Sequence, residues 1–256
     1  MNSKLLSLGI ALVAALLLSA VSALAETVDE LLEKGRPFDQ QFQATEALKY
    51  YLVAEKLEPK DVRVLVRIAR QHRHLMADAT SKDEKLRLGR IALDYSQRAA
   101  ALAPNDPDAQ FSVGLTLGKM LPLFSKKEQV NASPRIKASV DRTLRLDPRN
   151  DYAWHILGRW HRNLAAIGGV KRALAGALYG GLPAGSNEEA AKALEKAIKL
   201  NPTRLVHYIE LGRVYAQMGR KEEARKLINK GLEMPNVDKD DPEMKVAGRE
   251  ALAQLR

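Results

Sequence analysis

Arginine recurs at matching positions of three helices that the sequence predicts. Counted from the start of each helix, the ninth position holds Arg70, Arg159 and Arg213. The twelfth position holds Arg73 and Arg162, whereas the third helix has alanine there. Because positions three apart share one face of a helix, stacked helices would align these guanidinium groups along one groove. A guanidinium group binds a carboxylate or phosphate through two parallel hydrogen bonds, so the pattern predicts a groove for acidic ligands.

Two further side chains are expected to face the same groove: Arg63 at a second position and His155 at a fifth. The expected partner is an acidic peptide or protein, with an anionic lipid headgroup as an alternative. A net charge of +10 favours such partners. The arginines also fit ordinary solvated helix faces, since 41 lysine and arginine residues must lie somewhere in the chain.

Catalytic and metal-binding motifs are missing from the sequence. His72 and His74 are two residues apart and point to different faces of a helix, and His155 and His161 also diverge. No His-Glu-x-x-His motif, glycine-rich phosphate loop or Gly-x-Ser-x-Gly elbow occurs. The absence of cysteine excludes disulfides, iron–sulfur clusters and cysteine nucleophiles. We therefore expect no enzyme activity, no metal site and no cofactor; the alternative is an enzyme whose residues meet only in three dimensions.

The elements that would position the groove repeat along the chain. A pattern with offsets of zero, four, seven and twelve residues occurs four times, running from Ala47 to Pro59, Ala92 to Pro104, Ile136 to Pro148 and Ala190 to Pro202. The first three offsets lie on one helix face, where small residues let a neighbouring helix approach, and the proline ends the helix. A second helical pattern follows each proline, which predicts a series of helix pairs.

These helix pairs resemble the tetratricopeptide repeat, whose unit has about 34 residues. The resemblance implies an all-α fold: a right-handed superhelical solenoid of tetratricopeptide-like helix pairs. The prolines are spaced more widely than this unit, so we expect inserted residues at 73–90, 125–133 and 168–186, the last with an extra helix at 170–179. Residues 241–256 would form the terminal helix of about ten or eleven. Predicted N-cap residues are Ser81, Asp106, Ser186 and Asp241.

Residues 1–25 have the pattern of a secretory signal peptide. Lys4 precedes the apolar run Leu5 to Leu18, and Ala23 and Ala25 provide the small residues that signal peptidase requires. This predicts a signal peptide at 1–25 and a repeat domain at 26–256 that is periplasmic or secreted, where nucleic acid is not expected as a partner. The alternative is an uncleaved membrane anchor, although the run is shorter than the roughly 20 residues that span a bilayer.

Short motifs in the middle of the chain occur in a characteristic order. They are Ile136-Lys137, Leu146-Asp147-Pro148, Leu157-Gly158-Arg159-Trp160, Leu178-Tyr179-Gly180 and the Gly-Gly-Leu-Pro insert that ends at Pro183. This order resembles the regulator of microtubule dynamics family over about residues 45–255. The resemblance implies a tetratricopeptide-like domain with an insert before the penultimate repeat. It also implies association with microtubules and no defined catalytic residue.

Three binding functions are consistent with these features. The leading interpretation is an exported, non-enzymatic scaffold that holds an acidic partner in its groove. The second is a membrane-anchored or cytosolic regulator that binds the acidic surface of tubulin. The third is a lipid-binding helical module that uses the apolar insert at 164–183, whose only charged residues are Lys171 and Arg172. The insert would otherwise fill one end of the solenoid groove.

Overall fold

The structure, a computed structural model, describes residues 26–255. The predicted signal peptide at 1–25 lies outside the described residues. The described chain forms twelve α-helices: α1 (Val28–Gln40), α2 (Ala44–Leu57), α3 (Val62–Asp78), α4 (Lys82–Leu102), α5 (Pro107–Met120), α6 (Lys126–Leu146), α7 (Asp151–Ala165), α8 (Gly169–Tyr179), α9 (Asn187–Leu200), α10 (Leu205–Gln217), α11 (Lys221–Glu233) and α12 (Asp241–Gln254). A short 3₁₀ turn at Leu121–Leu123 joins α5 to α6.

The number of helices exceeds the expected ten or eleven because α1 precedes the first recurrence of the repeat pattern. Helix α1 begins with a capping box, in which Thr27 and Glu30 exchange hydrogen bonds. Its Leu31 and Leu32 are buried in the first hydrophobic cluster, together with Tyr51 of α2. None of the helices between residues 26 and 255 is long and apolar enough to span a membrane.

The helices stack as five packed pairs. The pairs are α1 with α2, α3 with α4, α5 with α6, α7 with α9, and α10 with α11. Each pair also packs on the next, since α2 contacts α3, α4 contacts α5, α6 contacts α7, and α9 contacts α10. Helix α12 packs on α10 and α11 and covers the last pair. This arrangement confirms the all-α solenoid of helix pairs, in which each repeat buries its apolar face against its neighbours.

Small residues set how closely the paired helices approach. Ala190 and Ala197 on α9 are fully buried, as the repeat pattern predicts. At Gly158, α7 crosses α9 so closely that a Cβ atom would lie 2.6 Å from Cγ of Leu194. At Gly212, a Cβ atom would lie 2.5 Å from Cγ1 of Ile228 on α11. The crossing points are therefore positions where a larger side chain would push two helices apart.

Two of the three predicted insertions lengthen helices instead of forming separate elements. Helices α4 and α6 each contain 21 residues, and Pro134 lies inside α6. The third insertion forms the separate helix α8, within one residue of its predicted start, and α8 packs against α6. Arg172 fixes this insert by donating hydrogen bonds to the backbone carbonyls of Leu164, Leu182 and Pro183.

Three of the four predicted N-caps are confirmed. Ser81, Asp106 and Ser186 each accept a hydrogen bond from the backbone N–H three residues later. The prediction for Asp241 is wrong, because Asp240 occupies the N-cap position of α12. The buried Asp241 carboxylate instead accepts hydrogen bonds from the backbone N–H groups of Val237 and Asp238, at 2.7 and 2.8 Å.

Candidate partner-binding groove

A cavity of about 640 Å³ lies between α1, α3, α5, the start of α7 and the segment that leads into α12. We call this cavity the central groove. Its cationic lining residues are Arg70, Arg73, Lys119, Arg149, Arg204 and Lys239. Its acidic lining residues are Asp39, Asp108, Asp147, Asp151, Asp238 and Asp240. The groove thus contains the predicted Arg70 and Arg73 of α3, and an equal number of aspartates on helices and connecting segments balances the cationic charge.

Arg73 is the buried cation of the central groove. Its side chain is 5% exposed, and Nη1 donates hydrogen bonds to the hydroxyl groups of Ser112 at 3.0 Å and Thr116 at 3.1 Å on α5. Among the described residues, no carboxylate forms an ion pair with Arg73. Burial, and then the charge of Arg70, lower its pKa to about 9. The guanidinium group is therefore charged at neutral pH without a counter-charge in contact.

Unpaired polar atoms line the same end of the groove. Arg70 is half exposed, and its Nη1 lies 3.4 Å from Oδ2 of the buried Asp39. Oδ1 of Asp39 and Nδ1 of His74 have no hydrogen-bond partner within residues 26–255. Burial lowers the pKa of His74 to about 4, so this imidazole is neutral at pH 7. Asp39 and His74 therefore each carry a polar atom that is buried without a hydrogen-bond partner, which is rare in a folded protein.

Arg63 lies outside the central groove, at the start of α3. Its guanidinium group is 60% exposed and pairs with Asp61 at 2.6 Å and with Asp29 at 2.7 Å. Asp61 is the N-cap of α3 and accepts a hydrogen bond from the backbone N–H of Arg63. Arg63 thus reinforces the N-terminal end of α3, and its predicted contact with a partner stays a prediction.

Three of the predicted arginines surround one buried carboxylate, Glu210 of α10. Glu210 is fully buried; Oε1 accepts from Nε of Arg162 at 2.6 Å, and Oε2 accepts from Nη1 of Arg213 at 3.0 Å. Burial, the largest influence, favours the neutral acid, but the charges of Arg162, Arg159 and Arg213 hold the pKa of Glu210 below its ordinary value. Arg159 is partly buried and has no ion pair among the described residues.

His155 is packed beneath the groove and is 2% exposed. Its Nδ1 lies 3.1 Å from Nδ1 of His207, whose Nε2 lies 2.9 Å from Oδ2 of Asp151. The carboxylate requires a proton on Nε2 of His207, so in a neutral pair the Nδ1 of His155 donates to that of His207. Burial, and then the charge of His207, lower the pKa of His155 well below its ordinary value. The imidazole of His155 is therefore neutral and serves in helix packing between α7 and α10.

Five of the seven predicted residues lie in two regions. Arg70 and Arg73 line the central groove, while the cluster around Glu210 contains Arg159, Arg162 and Arg213. Lys119 and Arg204 of the groove were not among the predicted residues. Lys119 lies on α5, which is not one of the three helices with recurring arginines, and Arg204 immediately precedes α10, so neither shares the register of those arginines. The partner-binding role of all these residues stays a prediction.

Residues 26–255 contain no group of three or more histidine, aspartate or glutamate side chains arranged to hold a metal ion. His155 and His207 are buried and paired with each other, and His207 also pairs with Asp151, which lines the central groove. The expectations that the protein is not an enzyme and requires no cofactor stay predictions.

The fold is similar to two solved structures. A thermophilic TPR protein from Thermus thermophilus superposes with a TM-score of 0.62 at 19% identity, covering 89% of this chain and 100% of that one. The pilF protein of Pseudomonas aeruginosa gives a TM-score of 0.56 at 12% identity, covering 89% of this chain and 88% of that one. At these identities the likeness shows a shared array of tetratricopeptide-like helix pairs.

Relatives with similar sequences carry one family name. Regulator of microtubule dynamics protein 1 of Mus musculus is 24% identical over 240 residues, which cover 93% of this chain and 78% of that protein. Regulator of microtubule dynamics protein 2 of Homo sapiens is 22% identical over 197 residues, which cover 77% of this chain and 48% of that protein. The chain spans about half the length of the protein 2 relatives it matches.

The family model described as regulator of microtubule dynamics protein 1-3 matches residues 24–256. This match covers nearly the whole chain, including α1 and the residues that form α8. It confirms the resemblance inferred from the Leu-Gly-Arg-Trp element and from the insert before the penultimate repeat. The chain belongs to the regulator of microtubule dynamics protein 1-3 family.

Proposed function

We propose that this protein is a non-enzymatic helical scaffold that binds an acidic segment of a partner protein in the central groove. The observation that carries the proposal is Arg73, a buried guanidinium group that faces the groove without a carboxylate in contact. A charged group in such a position is stabilised when a ligand supplies the opposite charge, and Arg is suited to bidentate recognition of a carboxylate.

The surroundings of Arg73 are suited to one extended acidic segment. Arg73 donates to protein groups only through Nη1, so Nε and Nη2 remain available for a ligand. The charges of Arg70 and Lys119 act on the same region. A hydrogen bond to a charged group contributes about 1.5–3 kcal/mol, so loss of one carboxylate contact should weaken binding roughly tenfold or more.

The test uses a fluorescein-labelled peptide of alternating aspartate and glycine, with asparagine replacing aspartate in the control peptide. Fluorescence anisotropy should show binding of the acidic peptide alone, and binding should weaken as salt is added. Arg73→Gln should reduce the affinity roughly tenfold or more. Arg87→Gln is the matched control, because the Arg87 side chain is 60% exposed and lies outside the groove. Equal binding of both peptides, or an Arg73→Gln variant that binds like the parent, would exclude this groove as the acidic site.

The family relationship suggests tubulin as one such acidic partner. The matched proteins are named regulators of microtubule dynamics, and acidic surfaces fit the chemistry proposed for Arg70 and Arg73. Co-sedimentation of residues 26–256 with polymerised tubulin tests this alternative. Retention in the pellet that Arg73→Gln reduces would support it. Retention that the variant leaves unchanged, or no retention, would remove tubulin as a ligand of the groove.

Export is part of the leading proposal. The apolar run at 5–18 and the small residues at Ala23 and Ala25 support cleavage after Ala25, which would release the repeat domain into the periplasm or medium. Cell fractionation and the intact mass of the natively expressed protein test the proposal. A soluble exported species that begins at Glu26 is expected. A membrane-bound species that retains residues 1–25 would favour the anchored regulator.

A second candidate function, contact with a lipid surface, is favoured by helix α8. Its Val170, Leu174 and Leu178 are 86%, 58% and 58% exposed. An apolar cavity of about 710 Å³ lies beside them, and its two charged lining residues, Lys126 and Lys171, suit an anionic headgroup. This combination of apolar and cationic side chains is typical of helices that lie in a membrane interface.

Flotation with vesicles tests the lipid interpretation. The protein should bind vesicles that contain phosphatidylglycerol, and Leu174→Ser/Leu178→Ser should abolish most of the binding. Leu57→Ser/Leu102→Ser is the control, since these leucines are 52% and 45% exposed but lie on other helices. Equal losses in both variants would show that α8 has no special role at lipid surfaces.

A further inference from the structure

The segment between α11 and α12 enters the central groove. Val237, Asp238, Lys239 and Asp240 all line the cavity. Asp241, which is fully buried, holds the segment in a tight turn by accepting hydrogen bonds from the backbone N–H groups of Val237 and Asp238. We call residues 237–240 the acidic strap, because two of its four side chains are carboxylates that point at cations of the groove.

Each carboxylate of the acidic strap contacts a different wall. Asp240 forms an ion pair with Lys119 of α5, and Asp238 forms an ion pair with Arg204, which precedes α10. These four side chains are only 20–28% exposed, so their charges are screened less than those of surface pairs. Lys239, between them, forms an ion pair with Asp78 at the end of α3, at 2.6 Å. The strap therefore contacts three separate helix pairs across the groove.

The ion pair with Asp240 stabilises the charged form of Lys119. Burial lowers the pKa of Lys119, while the charge and hydrogen bond of Asp240 oppose that effect and the charge of Arg73 adds to it. Arg204 has a second partner, Asp151, at 2.8 Å from its Nε, and its guanidinium group lies 4.8 Å from the ring of Tyr152. If the strap leaves, Lys119 loses its ion pair while Arg204 retains one.

We propose that the acidic strap is an intrachain ligand of the central groove, and that the partner segment carries two carboxylates two residues apart and displaces it. This inference rests on the proposed function, since it assigns the recognition pattern and the regulation of the same groove. The spacing is that of Asp238 and Asp240. A partner carboxylate in the place of Asp240 would pair with Lys119, and one in the place of Asp238 would pair with Arg204.

The chain would then regulate its own groove by competition. An intrachain segment acts at a high effective concentration, so it reduces the apparent affinity for a free peptide of the same chemistry. Partner peptides that satisfy Arg73 in addition to Lys119 and Arg204 have an advantage, because the strap forms no ion pair with Arg73. Arg73 thus provides the contact by which a partner can outcompete the strap.

The experiment uses the strap sequence itself as the probe. A fluorescein-labelled peptide with the sequence of residues 235–243 is titrated with the parent protein and with the Asp238→Asn/Asp240→Asn variant. The variant should bind the peptide at least tenfold more tightly. Asp29→Asn/Asp94→Asn is the control, because it changes the net charge equally at carboxylates that are 75% and 67% exposed and lie outside the groove. Adding Lys119→Ala to the strap variant should remove the gain.

Each outcome separates the two proposals. If parent and strap variant bind the strap peptide equally, the intrachain-ligand inference is wrong, and the proposed function stands provided that the alternating aspartate–glycine peptide still binds. If neither protein binds either peptide, both proposals are wrong. A gain in the control variant as large as that in the strap variant attributes the effect to net charge and overturns the inference.

A second measurement needs no substitution. Hydrogen exchange of the parent protein should show protected amides at Val237 and Asp238, whose N–H groups are bonded to Asp241. Saturation with the alternating aspartate–glycine peptide should speed exchange in this segment while α10 and α11 keep their protection. Unchanged exchange at 237–238 under saturating peptide would show that the ligand does not displace the strap.

Discussion

Glu210 neutralises two arginines in the packed contact between α7 and α10. Its two oxygens are shared between Arg162, which is 13% exposed, and Arg213, which is 28% exposed. Because water reaches this cluster poorly, removing the carboxylate would leave buried guanidinium charges without compensation. Glu210 thus stabilises the contact between α7 and α10 and also holds the charged side chains of Arg162 and Arg213 in place.

Glu210→Gln should therefore destabilise the protein by about 3–5 kcal/mol, the range for breaking a buried ion pair. Urea denaturation followed by circular dichroism measures the change. Glu222→Gln is the control, since Glu222 is 90% exposed and lies 3.7 Å from Arg225, and surface pairs contribute about 0–1 kcal/mol. Equal losses in the two variants would contradict the structural importance of the buried carboxylate.

Buried neutral histidines predict a loss of stability in mild acid. The folded-state pKa values of His155 and His74 lie below the ordinary value, largely because of burial. The unfolded chain therefore takes up protons first, and stability that is complete above about pH 6.5 declines as the pH falls towards 4. Denaturation midpoints between pH 7.5 and 5 measure this slope. His155→Gln should flatten it, and a midpoint that rises on acidification would refute the assignment.

At the scale of the helix, the close crossings depend on residues without a side chain. Gly158→Ala places a Cβ atom 2.6 Å from Leu194 and 3.1 Å from the carbonyl oxygen of Ala190, so α7 and α9 must separate. The expected destabilisation is about 1–3 kcal/mol, as for other overpacked sites. Gly176→Ala in α8 is the control because no atom lies within 4 Å of the added methyl group. Thermal unfolding should show a lower Tm for Gly158→Ala alone.

The helix pairs were predictable because their signals are local. A helix crossing requires small residues at fixed spacing, and the turn that follows requires a helix-ending proline, so residues such as Ala190, Ala197 and Pro202 define one unit without knowledge of its neighbours. Helix α1 was missed because it precedes the first such unit. The insertions at α4 and α6 were located correctly, but local sequence does not determine whether added residues extend a helix or form a loop.

The candidate site was predictable only in part. The shared register of the three arginine-bearing helices identified Arg70 and Arg73, and both line the groove. The same register could not show that Arg162 forms a buried ion pair and does not line the groove. Its partner Glu210 is 48 residues away, and nothing in the local sequence of α10 marks Glu210 as buried. Nor could the register identify Lys119 and Arg204, because their ion pairs form only where the acidic strap crosses the groove. Contacts between distant segments carry no periodic signal.

At the scale of the whole molecule, the strap joins the middle of the array to its end. Asp240 and Lys119 are 121 residues apart in sequence, and Lys239 contacts Asp78 of α3. In most repeat arrays each unit contacts only its neighbours, so their ends can open independently. These two contacts should make opening of α3–α5 depend on the integrity of α10–α12.

Asp78→Asn/Asp240→Asn should therefore uncouple the two halves. Hydrogen exchange should show unequal protection of α3–α5 and α10–α12 in this variant, whereas the parent should open them with similar free energies. Asp29→Asn/Asp94→Asn is again the control, because it changes the net charge by the same amount at two exposed carboxylates. Identical exchange profiles of the parent and the Asp78→Asn/Asp240→Asn variant would mean that the ion pairs do not couple the halves.

The position of the acidic strap also limits how this protein can change in length over evolution. An open array can gain or lose a helix pair at its end without disturbing the other pairs, because each pair contacts only its neighbours. Here a duplicated pair inserted between Lys119 and Asp240 would move the two charges out of reach of each other, by roughly the 8–10 Å that separates packed helices. The number of helices between α5 and α12 is thus expected to stay constant among related proteins. Their differences in length are expected on the N-terminal side of α3 or beyond α12.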